Sequence, residues 1–199
     1  MFTILITTGA TITFKLLIDI ITDVDFIENL IKLQVSKLYI QYGNEINNGK
    51  NKSKQYFDNL IESKQLVKIL QLNQIENYHY LNSKIEIIAF PFSSNINSYI
   101  KESDLIISHG GTGSILDCLK LQKKLIVVIN DQLMDNHQYE IANEFEILQY
   151  CKKYEIIQLK TKEFFEDMDK LLNDKIKYKQ FHESDGVILK SIILEELGK

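Results

Sequence analysis

The sequence contains no tryptophan and no arginine, one proline, two cysteines and eight glycines in 199 residues. Each scarcity excludes something. All 23 basic residues are lysines, so no guanidinium fork can grip a phosphate or carboxylate bidentately. An anion bound here must be met by backbone N–H groups, hydroxyls and lysine. Cys118 and Cys151 stand alone, without CxxC spacing, which argues against a disulfide framework or a zinc site and fits a reducing cytosol. Cys118 reads as a residue packed on the sheet rather than a nucleophile. No stretch approaches the ~20 apolar residues of a membrane span. The opening "MFTILITTGAT" lacks the basic segment and the length of a signal peptide. The chain is therefore expected to be soluble and to reach a membrane only through a partner. A formal net charge of −4 argues against a nucleic-acid partner, which calls for a basic face.

What is present is a series of short Ile- and Val-rich runs separated by helical patterns. "FTILIT" (2–7), "KLYIQY" (37–42), "KIEIIAF" (84–90), "DLIIS" (104–108), "KLIVVI" (124–129) and "YEIIQL" (154–159) read as strands. Helices are expected over 14–33, with a break near 23–25, then 95–102, 115–121, 138–150, 161–173 and 184–197. The polar stretch 43–55 reads as a solvated loop, and 56–82 is ambiguous between helix and strand. Strands that are apolar throughout and alternate with helices indicate a parallel sheet covered on both faces. The fold class is α/β, Rossmann-like and mostly parallel, with residues 1–199 forming a single domain.

Glycine is concentrated at one place. "SHGGTGS" (108–114) holds three of the eight glycines, between a strand and a helix. Gly110, Gly111 and Gly113 allow two readings: a tight βα turn, or a close approach to a ligand. The free N–H groups and partial positive charge of a helix N-terminus favour a phosphate, and Thr112 and Ser114 add hydroxyls. The loop has neither the GxxxxGK[ST] nor the GxGxxG spacing. Ser114 and Asp117 also fit an S-x-x-D capping box, in which case Asp117 serves the helix start. His109 is either a hydrogen-bonded structural residue or a group that titrates near neutrality. "DMD" (167–169) reads as a solvated helix face rather than a metal pair. No metal or cofactor is expected.

"SHGGTGSILDCLKLQKKLIVVINDQLMDNHQYEIANEF" resembles the donor-binding half of glycosyltransferases with two Rossmann-like domains. With "ILITTGATITFKLLI", "LYIQYGNE" and "IIAFPFSSNINSYIKESDLIISHGGTG", the match narrows to the catalytic subunit family of the dolichol-pathway UDP-N-acetylglucosamine transferase. It covers most of residues 1–150. The resemblance implies that Gly110, Gly111, Thr112, Gly113 and Ser114 meet the diphosphate of UDP-GlcNAc, and that Asp117 holds the ribose. Asp135, Asn136, His137 and Gln138 are then the candidates for the sugar, with Thr8, Gly9 and Thr11 on a second loop closing on donor or acceptor. The reaction implied is inverting transfer of GlcNAc to GlcNAc-diphosphodolichol. The partner implied is a membrane-anchored acceptor-binding subunit at the cytosolic face of the endoplasmic reticulum. The helix expected over 184–197 could dock on that partner or cover this domain's own sheet. His109 is a candidate catalytic base, and His137 also lies in a motif. The alternatives are a non-catalytic UDP-sugar-binding module and a transferase using another UDP-sugar.

Overall fold

The structure is a computed structural model and describes residues 1–130 and 137–182, the side chains of His137 and Gln138 excepted. The chain runs β1 (Phe2–Thr7), α1 (Lys15–Ile21), α2 (Val24–Lys32), β2 (Val35–Gln41), a small ladder of β3 (Ile46–Asn47) and β4 (Lys50–Asn51), then α3 (Lys52–Ser63), α4 (Leu66–Ile69), β5 (Asn73–Glu76), β6 (His79–Leu81) and β7 (Glu86–Phe90). It continues through α5 (Ile96–Glu102), β8 (Leu105–Ser108), α6 (Thr112–Lys120), β9 (Lys124–Ile129), α7 (His137–Ile147), β10 (Lys152–Glu155), a 3-10 turn (Ile156–Lys160) and α8 (Lys162–Leu172).

Among the described residues one eight-stranded sheet forms in the order β10-β9-β8-β1-β2-β7-β6-β5. From β10 to β7 every pairing is parallel, and the β5–β6 hairpin closes that edge antiparallel. Alternate residues of each strand point to opposite faces. Ile4, Ile6, Leu38, Ile40 and Ile107 face one layer, under Leu17, Phe26 and Phe164 of α1, α2 and α8. Leu5, Ile106, Leu125 and Val127 face the other, under Ile115, Leu119 and Phe145 of α6 and α7. Each fully buried Leu or Ile contributes about 1.5–3 kcal/mol. Burial on both faces explains why these strands read as unbroken apolar runs.

The order fixes where a ligand belongs. From β1 the chain moves to β2 on one side, and later returns to β8 on the other. Their carboxyl ends form the topological switch point, where open α/β sheets bind ligands. Thr7 ends β1, Ser108 ends β8, and the Thr7 hydroxyl donates to Ser108 Oγ across the seam at 3.3 Å.

Several expectations need correction. The stretch 43–55 is no free loop: it contains β3 and β4, and α3 begins at Lys52, capped by the Asn51 side chain accepting the Lys54 N–H at 2.8 Å. The ambiguous segment resolves into the rest of α3, α4 and the β5–β6 hairpin. The strand expected over 154–159 ends at Glu155, where reciprocal bonds between Glu155 and Gln158 start the 3-10 turn and leave Ile157 exposed. Asp167 is buried rather than solvated, accepting from the Tyr154 hydroxyl at 2.8 Å and pairing with Lys170 at 2.8 Å. The helix expected over 184–197 lies outside the described residues.

Candidate functional site

Two βα loops meet at the switch point. After β8 the chain turns at Gly110, whose φ of +83° suits glycine. Gly111 then becomes the N-cap of α6, which starts at Thr112, earlier than the sequence pattern suggests. The first bond of that helix is Ile115 N–H to Gly111 O at 3.0 Å. Among the described residues no protein acceptor takes the N–H groups of Thr112, Gly113 and Ser114, and the Thr112 and Ser114 hydroxyls bond to nothing in the protein. Three N–H donors and two hydroxyls therefore stand free at a positive helix end.

The expected capping box is absent. No side chain caps α6, and Ser114 lies inside its first turn, so Asp117 does not serve the helix start. Asp117 is half-buried, and its carboxylate has no hydrogen bond or ion pair among the described residues. It follows Gly113 by four positions, which places both on one face of α6. Gly113 is itself exposed, and a Cβ there would meet nothing within 4 Å. Packing among the described residues gives no reason for glycine at that position.

The second loop follows β1. Gly9 adopts φ +88°. Thr8 is buried and its hydroxyl donates to Gln41 O at 2.8 Å, tying the loop to the end of β2. Thr11 is exposed. The segment behind it is anchored by residues that the sequence pattern did not single out. Thr13 N–H donates to Glu45 Oε2 at 2.9 Å, Glu45 N–H donates to Ser53 Oγ at 3.0 Å, and Asn44 N–H donates to Ala10 O at 2.8 Å. The Thr13 bond draws the Glu45 carboxyl below its usual range. The one local signal was Gly43, where φ is +96° and a Cβ would lie 3.2 Å from Gly9 O.

His109 lies between these loops. Its N–H donates to Thr7 O at 3.1 Å. Its ring Nδ1 is buried without a hydrogen-bond partner among the described residues. Burial lowers its pKa to about 4, with the Thr7 backbone opposing, so the imidazole is neutral at pH 7. A general base works best with a pKa near the operating pH, and this environment suits His109 poorly to that task. Cys118 and Cys151 are buried, which pushes both thiols up to about 12 and leaves no thiolate to attack anything. Asp135 and Asn136 lie outside the described residues. His137 and Gln138 are the first residues of α7, and their side chains lie outside the description too. The described residues hold no cluster of three or more His, Cys, Asp or Glu side chains able to take a metal. A cavity of about 670 Å³ against α3, α4 and the β5–β6 hairpin contains none of the site residues.

An uncapped helix start, a glycine loop and a carboxylate without a partner among the described residues one turn on all lie at the switch point of the parallel sheet of a Rossmann-like domain. The chain belongs to the glycosyltransferase family 28 C-terminal domain family, whose model matches residues 3–192. It is thus a glycosyltransferase domain. It is 47% identical to the UDP-N-acetylglucosamine transferase subunit ALG13 of Candida albicans, over 98% of this chain and 74% of that protein. The subunit of the same name from Debaryomyces hansenii is 39% identical over the whole of both chains. Among solved structures, the NMR solution structure of ALG13 matches with a TM-score of 0.63 and 30% identity, covering 94% of each chain. MurG of Acinetobacter baumannii shares the fold at TM-score 0.54 and 17% identity, over 87% of this chain and 43% of that one. Among the described residues no helix is long and apolar enough to cross a membrane.

Proposed function

We propose that this chain transfers GlcNAc from UDP-GlcNAc to GlcNAc-diphosphodolichol, with inversion, as the catalytic subunit of a two-subunit enzyme. The observation that carries the reading is the free helix start at Thr112–Ser114 beside the unpartnered Asp117. The relatives' printed names supply the donor, UDP-N-acetylglucosamine, and the word subunit. The N–H groups of Thr112, Gly113 and Ser114 receive the diphosphate, and Asp117 accepts the ribose hydroxyls. As the glycosidic bond breaks, negative charge grows on the departing UDP. Preorganised backbone donors at a helix N-terminus stabilise that charge without having to reorganise. Asp135, Asn136, His137 and Gln138 address the sugar, and Gly9 and Thr11 face the adjoining side of the cleft on a loop that buried Thr8 ties to β2.

The acceptor is a lipid, and its half of the cleft comes from a membrane-anchored partner that holds this chain on the cytosolic face of the endoplasmic reticulum. That partner also supplies the general base, since His109 is poorly suited to the task. No metal is assigned a role, because backbone donors and hydroxyls already answer the diphosphate. The test is transfer of labelled GlcNAc from UDP-GlcNAc to a short-chain lipid GlcNAc-diphosphate, with and without the membrane partner.

A further inference from the structure

We propose that the His109 imidazole is a positioning wedge: it sets the spacing between the loop after β1 and the glycine loop after β8, and so aims the start of α6. The aiming role rests on the donor-site reading above; the wedge itself rests on packing alone.

The ring is held by shape. A Cβ placed on Gly9 would lie 3.1 Å from His109 Cδ2 and 3.2 Å from Nε2. A Cβ placed on Gly111 would lie 2.5 Å from Nε2 and 3.1 Å from Cε1, closer than real Cβ atoms approach. A side chain on either loop would therefore crowd the Cδ2–Nε2 edge of one ring, slightly at Gly9 and prohibitively at Gly111. On the other side of the ring, Nδ1 is buried without a hydrogen-bond partner among the described residues. The backbone completes the clamp, because His109 N–H is bonded to Thr7 O, two residues before Gly9. Gly111 is also the N-cap of α6. Displacing it displaces the N–H groups of Thr112, Gly113 and Ser114. This places His109 as a spacer between the two loops.

The test is a mutant cycle on the full chain with UDP as the probe. Gly111→Ala forces a methyl group into the ring and is expected to weaken UDP binding about tenfold or more. His109→Ala removes the obstacle. The double variant His109→Ala/Gly111→Ala is then expected to bind UDP more tightly than Gly111→Ala alone, a positive coupling between residues in contact. Gly9→Ala responds differently: His109→Ala relieves its contact but leaves the strain of φ +88°, so rescue is smaller there. His109→Ser replaces His109→Ala throughout if the alanine variant does not fold. The same cycle read as melting temperature needs no ligand, with Gly111→Ala lowering it and ring removal restoring part of the loss. Additive losses in both readouts overturn the wedge. Coupling in melting temperature without coupling in UDP affinity overturns the aiming role. A wild-type chain that binds no UDP overturns the donor-site reading and the aiming role with it, and the melting cycle then decides the wedge by itself.

Discussion

Thr13 and Ser53, forty residues apart in the chain, share a buried hydroxyl–hydroxyl hydrogen bond of 2.8 Å. Ser53 has no exposed surface and also accepts the Glu45 N–H at 3.0 Å, so one hydroxyl joins the loop after β1 to the loop after β2. Ser53→Ala leaves the half-buried Glu45 amide and the buried Thr13 hydroxyl short of a partner. The expected loss is about 1–3 kcal/mol of stability in urea unfolding. Faster amide exchange at Glu45 should accompany it.

Gly113→Ala is expected to separate binding from stability. The added methyl group meets open space. Alanine is about 1 kcal/mol better than glycine within a helix. The melting temperature should rise or hold, while UDP affinity falls because the methyl group stands over the free N–H groups. A variant that is less stable and binds UDP normally would show that Gly113 serves the fold.

Asp117→Asn is expected to weaken UDP binding with little change in melting temperature, because the carboxylate has no partner within the described residues. Isothermal titration with UDP and with inorganic diphosphate divides the effect. The loss should appear with UDP, which carries the ribose, and be absent with diphosphate.

Acid should destabilise the fold through His109. Burial holds its folded pKa near 4, below the ordinary value of 6.5. Between those values the unfolded chain binds the proton and the folded chain does not. Stability is therefore fully present above pH 6.5 and is lost as pH falls toward 4, by at most about 3 kcal/mol. His109→Asn should flatten that part of the profile in urea unfolding at pH 7, 5.5 and 4.5. An unchanged slope would mean that the ring is not buried as described.

Strand alternation and burial made most of the sheet legible in the sequence: β1, β8 and β9 are apolar on both faces and could not be mistaken for helices. The break in the first helical pattern was legible as well, and it falls at Thr22 and Asp23, where Thr22 Oγ1 bonds back to Ile18 O at 2.8 Å. Three kinds of feature were not legible. The 3-10 turn after β10 hides in "EIIQL", whose apolar residues fit a strand until Glu155 and Gln158 cap each other. The anchoring of 43–55 depends on Thr13 and Ser53 meeting across the fold, a contact that no local pattern predicts. The glycine cluster looked like one motif, yet its members do three things: Gly110 supplies a positive φ, Gly111 yields to the His109 ring, and Gly113 leaves the helix start open.

The central claim is that the free start of α6 seats UDP-GlcNAc in a half-enzyme completed by a membrane partner. The most direct measurement is transfer of GlcNAc from UDP-[14C]GlcNAc to a short-chain lipid GlcNAc-diphosphate, using this chain alone, the partner alone and both together. The account predicts a disaccharide lipid product only when both are present, and its loss when Asp117→Asn replaces the wild-type chain. No product from the pair, or full activity from this chain alone, would contradict it.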